Sequence, residues 1–83
     1  MDRIEIENKV MDILHELLPE SDNGNNIDKD EFLDEYGMSS SIILKLIIRI
    51  ENEFDFRVSD DDFDEKNFET VESIVMFVEK KNA

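Results

Sequence analysis

A chain of 83 residues with 9 Lys+Arg against 23 Asp+Glu carries a formal charge of −14, which repels nucleic-acid phosphates and anionic lipid and suits partners with basic patches. The length allows one domain, residues 1–83, whose folding hides only roughly 60% of the unfolded surface; a core that thin favours binding or tethering over a self-sufficient enzyme. With no cysteine and a single histidine, His15, disulfides, thiolate metal sites, cysteine nucleophiles and two-histidine metal sites are excluded.

The first periodic segment runs over residues 3–18, with Ile6, Val10, Ile13, Leu14 and Leu17 at helical spacing and acids opposite. Pro19 ends it, because proline cannot donate the next helical hydrogen bond. Residues 20–39 form a long connection, for which Ile27, Phe32 and Leu33 are the expected apolar pins. A second helix is predicted over 40–54, opened by serine hydroxyls that can cap free amides. Its core stripe is Ile43, Leu46, Ile47, Ile50 and Phe54, and Ile42, Leu44 and Ile48 add apolar surface beyond it. After Ser59, the acids Asp60, Asp61 and Asp62 suit the start of a short helix over 60–65. Thr70 then caps a last helix over 70–81, with Val71, Ile74, Val75 and Val78 on one face and Lys80 and Lys81 at its C-terminus. The fold class is all-α: a small bundle of three main helices, one short helix and a long first loop. An apolar share of 40% with six Phe is too high for a disordered acidic tail. Met1-Asp2-Arg3-Ile4-Glu5 lacks the regions of a signal peptide, and no apolar run is long enough to span a bilayer. A cytoplasmic monomer is therefore expected.

Chemistry concentrates at Tyr36-Gly37-Met38-Ser39-Ser40-Ser41. A glycine permits a tight turn, and serine hydroxyls follow at a helix N-terminus, where negative charge is favoured. A phosphate ester on serine suits such a junction, although plain helix capping accounts for the same residues. The wider stretch from Phe32 to Phe54 resembles the acyl carrier and peptidyl carrier protein family. Phe32-Leu33 matches that family's Phe-apolar pair, Gly37 its glycine, and Glu51-Asn52-Glu53-Phe54 the end of its second helix. Ser40 stands three residues after Gly37 and fourteen before Phe54, the family's spacing for its modified serine. Val58-Ser59-Asp60 and Phe68-Glu69-Thr70-Val71 resemble its later steps, so the likeness covers nearly the whole chain. Two residues depart from the pattern: Ser39 stands where Asp is usual, and Ser41 where Leu, Ile or Met is usual.

The resemblance implies an acyl-carrier-like bundle that is not an enzyme. It implies a 4'-phosphopantetheine arm donated by coenzyme A to Ser40, with Ser41 as second choice and Gly37, Met38, Ser39 and Ser41 flanking. A phosphopantetheinyl transferase would attach the arm. Partner biosynthetic enzymes of fatty acid, polyketide or peptide type would load and unload acyl or aminoacyl thioesters. Family members usually show acidic residues along the second helix. Here Lys45 and Arg49 interrupt Glu51 and Glu53, so Lys45, Ile48 and Glu51 are the candidate partner contacts and a specialised pathway is favoured. Two other readings remain open. Glu20, Asp22, Gly24, Asn26, Asp28 and Glu31 fall at positions 1, 3, 5, 7, 9 and 12 of a calcium loop, though Glu20, Asn25 and Gly24 are poor fits at the first, sixth and fifth places. The chain could also be an unmodified acidic docking module.

Overall fold

The computed structural model describes residues 2–18 and 27–82. They form helix α1 (Arg3–Leu17), a 3-10 turn (Leu33–Tyr36), helix α2 (Ser40–Phe54), two more 3-10 turns (Asp60–Asp62 and Glu65–Phe68) and helix α3 (Val71–Asn82). The apolar stripes of the three helices meet in one core, where α1 contributes Ile6, Val10, Ile13 and Leu14, α2 contributes Leu46, Ile47, Ile50 and Phe54, and α3 contributes Val71, Ile74, Val75, Phe77 and Val78. These are the positions that helical periodicity assigns to an inward face. Ile43 and Leu17 pack at its margin, half-buried.

Each helix end has a local cause. Leu18 leaves α1 in an extended conformation, φ −82° and ψ 120°, as the residue ahead of a proline must. At the end of α2, Asp55 takes the left-handed conformation, φ 54° and ψ 54°, and its amide closes on the Glu51 carbonyl. The Glu51 side chain then reaches forward to accept the Val58 amide at 2.8 Å. Helix α3 opens with a reciprocal pair. The Ser73 amide donates to Thr70 Oγ1 and the Thr70 amide donates to Ser73 Oγ, both at 3.0 Å.

The short helix expected over 60–65 is instead a pair of 3-10 turns. The Asp62 carboxylate turns back to accept the Ser59 amide at 3.2 Å and the Ser59 hydroxyl at 2.8 Å, which closes the first turn on itself. Asp64 then starts a second by accepting the Lys66 amide at 3.1 Å, and Asn67 Nδ2 donates to the Asp62 carbonyl at 2.9 Å. Side chains that satisfy the backbone locally compete with a continuous helix. Lys81 clamps this segment to the end of α3 by an ion pair with Asp62. The ammonium, followed by the Ser59 hydroxyl, lowers the Asp62 pKa to about 2.

The first connection is pinned by Ile27 and Leu33, both buried, whereas Phe32 is 56% exposed and is not a pin. Two backbone bonds tie this connection to the start of α3: Leu33 N–H to the Glu69 carbonyl at 2.8 Å and Glu72 N–H to the Lys29 carbonyl at 3.2 Å. Arg3 joins α1 to α3 by pairing with Glu72 and Glu79, and within α1 it pairs with Glu7. Among the described residues, no helix is long and apolar enough to cross a membrane.

Candidate functional site

The approach to α2 is a compact turn. Leu33 is buried at its start, and Gly37 ends it at φ 91° and ψ 19°, a conformation that carries a steric cost for any residue with a Cβ. The Gly37 amide bonds the Asp34 carbonyl at 3.2 Å and the Met38 amide bonds the Leu33 carbonyl at 3.3 Å. Tyr36 lies half-buried beside the turn and donates its hydroxyl to Glu31 Oε1 at 3.1 Å. Burial first, and then that carboxylate, raise the Tyr36 pKa. The Glu31 carboxylate also raises the pKa of Glu35.

Ser39 is extended, φ −141° and ψ 170°, and serves as the N-cap of α2. Its hydroxyl accepts the Ile42 amide at 3.4 Å and its carbonyl accepts the Ile43 amide at 2.9 Å. Ser40 is therefore the first residue of the helix, exposed to solvent. The amides of Ser40 and Ser41 sit in the first turn, where no helical carbonyl is available to them. Ser39 thus satisfies the helix end, and Ser40 stands exposed next to it.

A groove of about 520 Å³ opens beside Ser40. Leu33, Ile43 and Phe68 line its apolar part, and Phe32, Asp34, Glu65 and Glu69 add an aromatic ring and three carboxylates. A smaller depression of about 40 Å³ lies between Ser40, Ile43, Phe63 and Phe68. Ser40 borders both spaces, and Ser41, also exposed, borders neither. The residues present fit a phosphopantetheine group. An exposed hydroxyl can carry the ester, free amides at a helix N-terminus favour the phosphate, and the groove offers apolar walls and acceptors to a chain containing amides.

Residues 8–78 of the chain match the family model described as the phosphopantetheine attachment site. The chain belongs to this phosphopantetheine-binding carrier protein family. No curated protein sequence matches it. Among solved structures, it resembles a chain in the crystal structure of an engineered Bradyrhizobium japonicum glycine:[carrier protein] ligase complexed with a carrier protein from Agrobacterium tumefaciens and AMP. That likeness has a TM-score of 0.78 at 23% identity and covers 88% of this chain and 97% of the other. The all-helical fold is thus that of a carrier protein, a non-catalytic domain whose covalent prosthetic group is phosphopantetheine.

On the carrier's second helix, Leu44, Lys45 and Ile48 face solvent. Glu51 is half-buried, with its carboxylate engaged by Val58. The groove residues Asp34, Glu65 and Glu69 are not apparent from sequence as site residues, because they meet Ser40 only when the 65–68 turn folds against the first connection. The calcium-loop positions Glu20, Asp22, Gly24 and Asn26, with Asn25, lie outside the described residues. Of the remainder, Asp28 accepts the Asp30 amide at 3.2 Å and Glu31 accepts the Tyr36 hydroxyl. Among the described residues no group of three or more His, Cys, Asp or Glu is placed to hold a metal.

Proposed function

We propose that Ser40 is the attachment residue for 4'-phosphopantetheine and that this carrier presents acyl or aminoacyl groups to partner enzymes of a specialised biosynthetic pathway. The supporting observation is the position of Ser40: an exposed hydroxyl at the first residue of α2, next to two unpaired helix-end amides and bordering both depressions. In the modification, Ser40 Oγ attacks the pantetheine-bearing phosphorus of coenzyme A. The pyrophosphate bond breaks, adenosine 3',5'-bisphosphate leaves, and the hydroxyl proton passes to a base of a phosphopantetheinyl transferase. The arm supplies a terminal thiol on which cargo is held as a thioester. The chain itself supplies the hydroxyl, the helix end and the groove. Aminoacyl cargo gains support from the structural neighbour, which was solved with a glycine:[carrier protein] ligase. The carboxylates of Asp34, Glu65 and Glu69 in the groove suit an ammonium group as well as arm amides. The carrier works as a cytoplasmic monomer in this reading, which sedimentation and fractionation check.

The test is intact mass after incubation with coenzyme A and a broad-specificity phosphopantetheinyl transferase. The native chain gains one phosphopantetheine, Ser40→Ala gains none, and Ser41→Ala still gains one. Gain that persists in Ser40→Ala and vanishes in Ser41→Ala moves the site by one residue. No gain in the native chain leaves a docking module as the better description.

A further inference from the structure

We infer that the groove beside Ser40 selects cargo by charge: an aminoacyl group on the arm folds back and seats its α-ammonium among Asp34, Glu65 and Glu69, whereas a neutral acyl group of similar size stays outside. The inference rests on the assignment of Ser40 as the attachment residue.

The cavity and the tether locate the site. Ser40 lines a space of about 520 Å³, within the roughly 300–1,000 Å³ typical of small-molecule sites. Leu33 and Phe68 are buried and anchor its walls in the core, and the exposed ring of Phe32 adds a further apolar surface. A flexible arm on Ser40 keeps its far end near this groove at an effective concentration on the order of millimolar. Contacts too weak to hold a free ligand therefore still bias where a tethered cargo rests.

The charges set what the groove takes. Asp34, Glu65 and Glu69 line it, and among the described residues none of them forms an ion pair. No Lys or Arg lines the groove. Lys66, next to Glu65 in the chain, lines a separate depression with Asp61, Asp62 and Asp64. The phosphate of the arm adds negative charge beside Ser40 and neutralises none of the three acids. The groove is thus anionic and lacks a cation of its own. A metal ion does not fill that need, since among the described residues no group of three or more His, Cys, Asp or Glu is placed to hold one. A tethered ammonium does, because it donates in three directions and tolerates looser acceptor geometry than a metal's convergent ligand shell. A neutral acyl group meets the same apolar walls and gains nothing from the acids, and an acyl group bearing a carboxylate is repelled.

The experiment uses the full chain, loaded by a broad-specificity transferase from amide analogues of alanyl- and propionyl-coenzyme A. In these, nitrogen replaces the thioester sulfur, so the cargo does not hydrolyse, and the two groups are close in size but differ by the α-ammonium. At about pH 6.5 the alanyl amine is charged, since α-amino groups titrate near 7.7–8.0. Intact mass of the native chain and of Ser40→Ala first shows where the arm is attached. NMR then reads the amide shifts of Leu33, Asp34, Glu65, Phe68 and Glu69 against the chain carrying the arm alone. Alanyl cargo moves them about threefold more than propionyl cargo, the bias that one exposed ion pair supplies. Raising NaCl from about 50 to 500 mM removes about half of that excess or more. Combining Asp34→Asn, Glu65→Gln and Glu69→Gln brings the alanyl shifts down to the propionyl level. Asp60→Asn, at an exposed acid outside the groove, leaves the excess intact. The replaced side chains are exposed and nearly isosteric, so circular dichroism should show the variants folded. Equal shifts from the two cargoes, or an excess that survives in the triple variant, overturn the inference and leave Ser40 assigned; the acids are then left to a basic side chain of a partner. A native chain that gains no arm, or a gain that persists in Ser40→Ala, overturns the Ser40 assignment itself, and the inference with it.

Discussion

Replacing Phe68 probes the aromatic packing under the serine. Phe68 is 2% exposed. Its ring meets that of Phe77 with centroids 5.3 Å apart and planes at 66°, and Phe77 meets Phe56 at 6.1 Å and 76°. Truncating a buried Phe to Ala costs about 3–5 kcal/mol, from lost transfer energy and the cavity left behind. The edge-to-face contact accounts for about 0.5–1.5 kcal/mol of that. At about 0.05–0.15 kcal/mol per residue, a domain of this size holds roughly 4–12 kcal/mol in all, so Phe68→Ala removes a quarter or more of it. Phe68→Leu keeps most of the volume and costs about 1–2 kcal/mol, which leaves a folded protein to measure. Urea unfolding followed by circular dichroism, for Phe68→Leu, Phe77→Leu and the double variant, gives the coupling between the rings as about 0.5–1.5 kcal/mol. A loss below about 0.3 kcal/mol in Phe68→Leu with strictly additive singles would refute the reasoning, since it lies within the range of an ordinary surface change.

Three further outcomes follow from local geometry. Gly37→Ala forces a Cβ into the left-handed region and should cost about 1–2 kcal/mol in urea unfolding; an unchanged midpoint would mean that the turn does not need that conformation. Glu51→Ala leaves the Val58 amide without its acceptor and should cost about 1 kcal/mol, while Glu51→Gln recovers most of it; equal stability of the two would separate Glu51 from the helix end. For Asp62, a folded-state pKa lowered to about 2 against an ordinary 3.8 means stability that is present above about pH 4 and lost as pH falls through about 2. Carboxyl NMR titration should show that Lys81→Met moves the Asp62 midpoint back up toward its ordinary value, and a midpoint that stays low would discount the ammonium as the principal cause.

Much of this fold was legible in sequence because helical periodicity maps directly onto burial. Ile6, Val10, Leu46, Ile50, Ile74 and Val78 all sit where their spacing puts them. Ser40 was legible as a helix-start serine because hydroxyls cap the free amides of a helix opening, and the resemblance to the carrier family, through its spacing to Gly37 and Phe54, singled it out from its neighbours. Phe32 was misread as a pin because hydrophobicity alone cannot separate a buried ring from one beside a groove. The 60–65 segment was misread because consecutive acids suit a helix start, yet Asp62 and Asp64 bond to neighbouring amides and break the helix into turns. Glu65 and Glu69 were not legible as neighbours of Ser40, since contacts between residues far apart in the chain leave no periodic trace, and Asp34 was not because its position depends on the turn that folds beside the serine.

The backbone bonds from Leu33 to Glu69 and from Lys29 to Glu72 have a mechanical consequence. They act as two rivets between the strap that leads into the serine and the base of the last helix, so a force prying at this seam must break both before it widens. Where the strap ends and α2 begins, the place of Ser40 is therefore set by Glu69 and Glu72, far downstream in the chain. A fragment lacking α3 would keep Ser40 in its sequence and lose the frame that holds it.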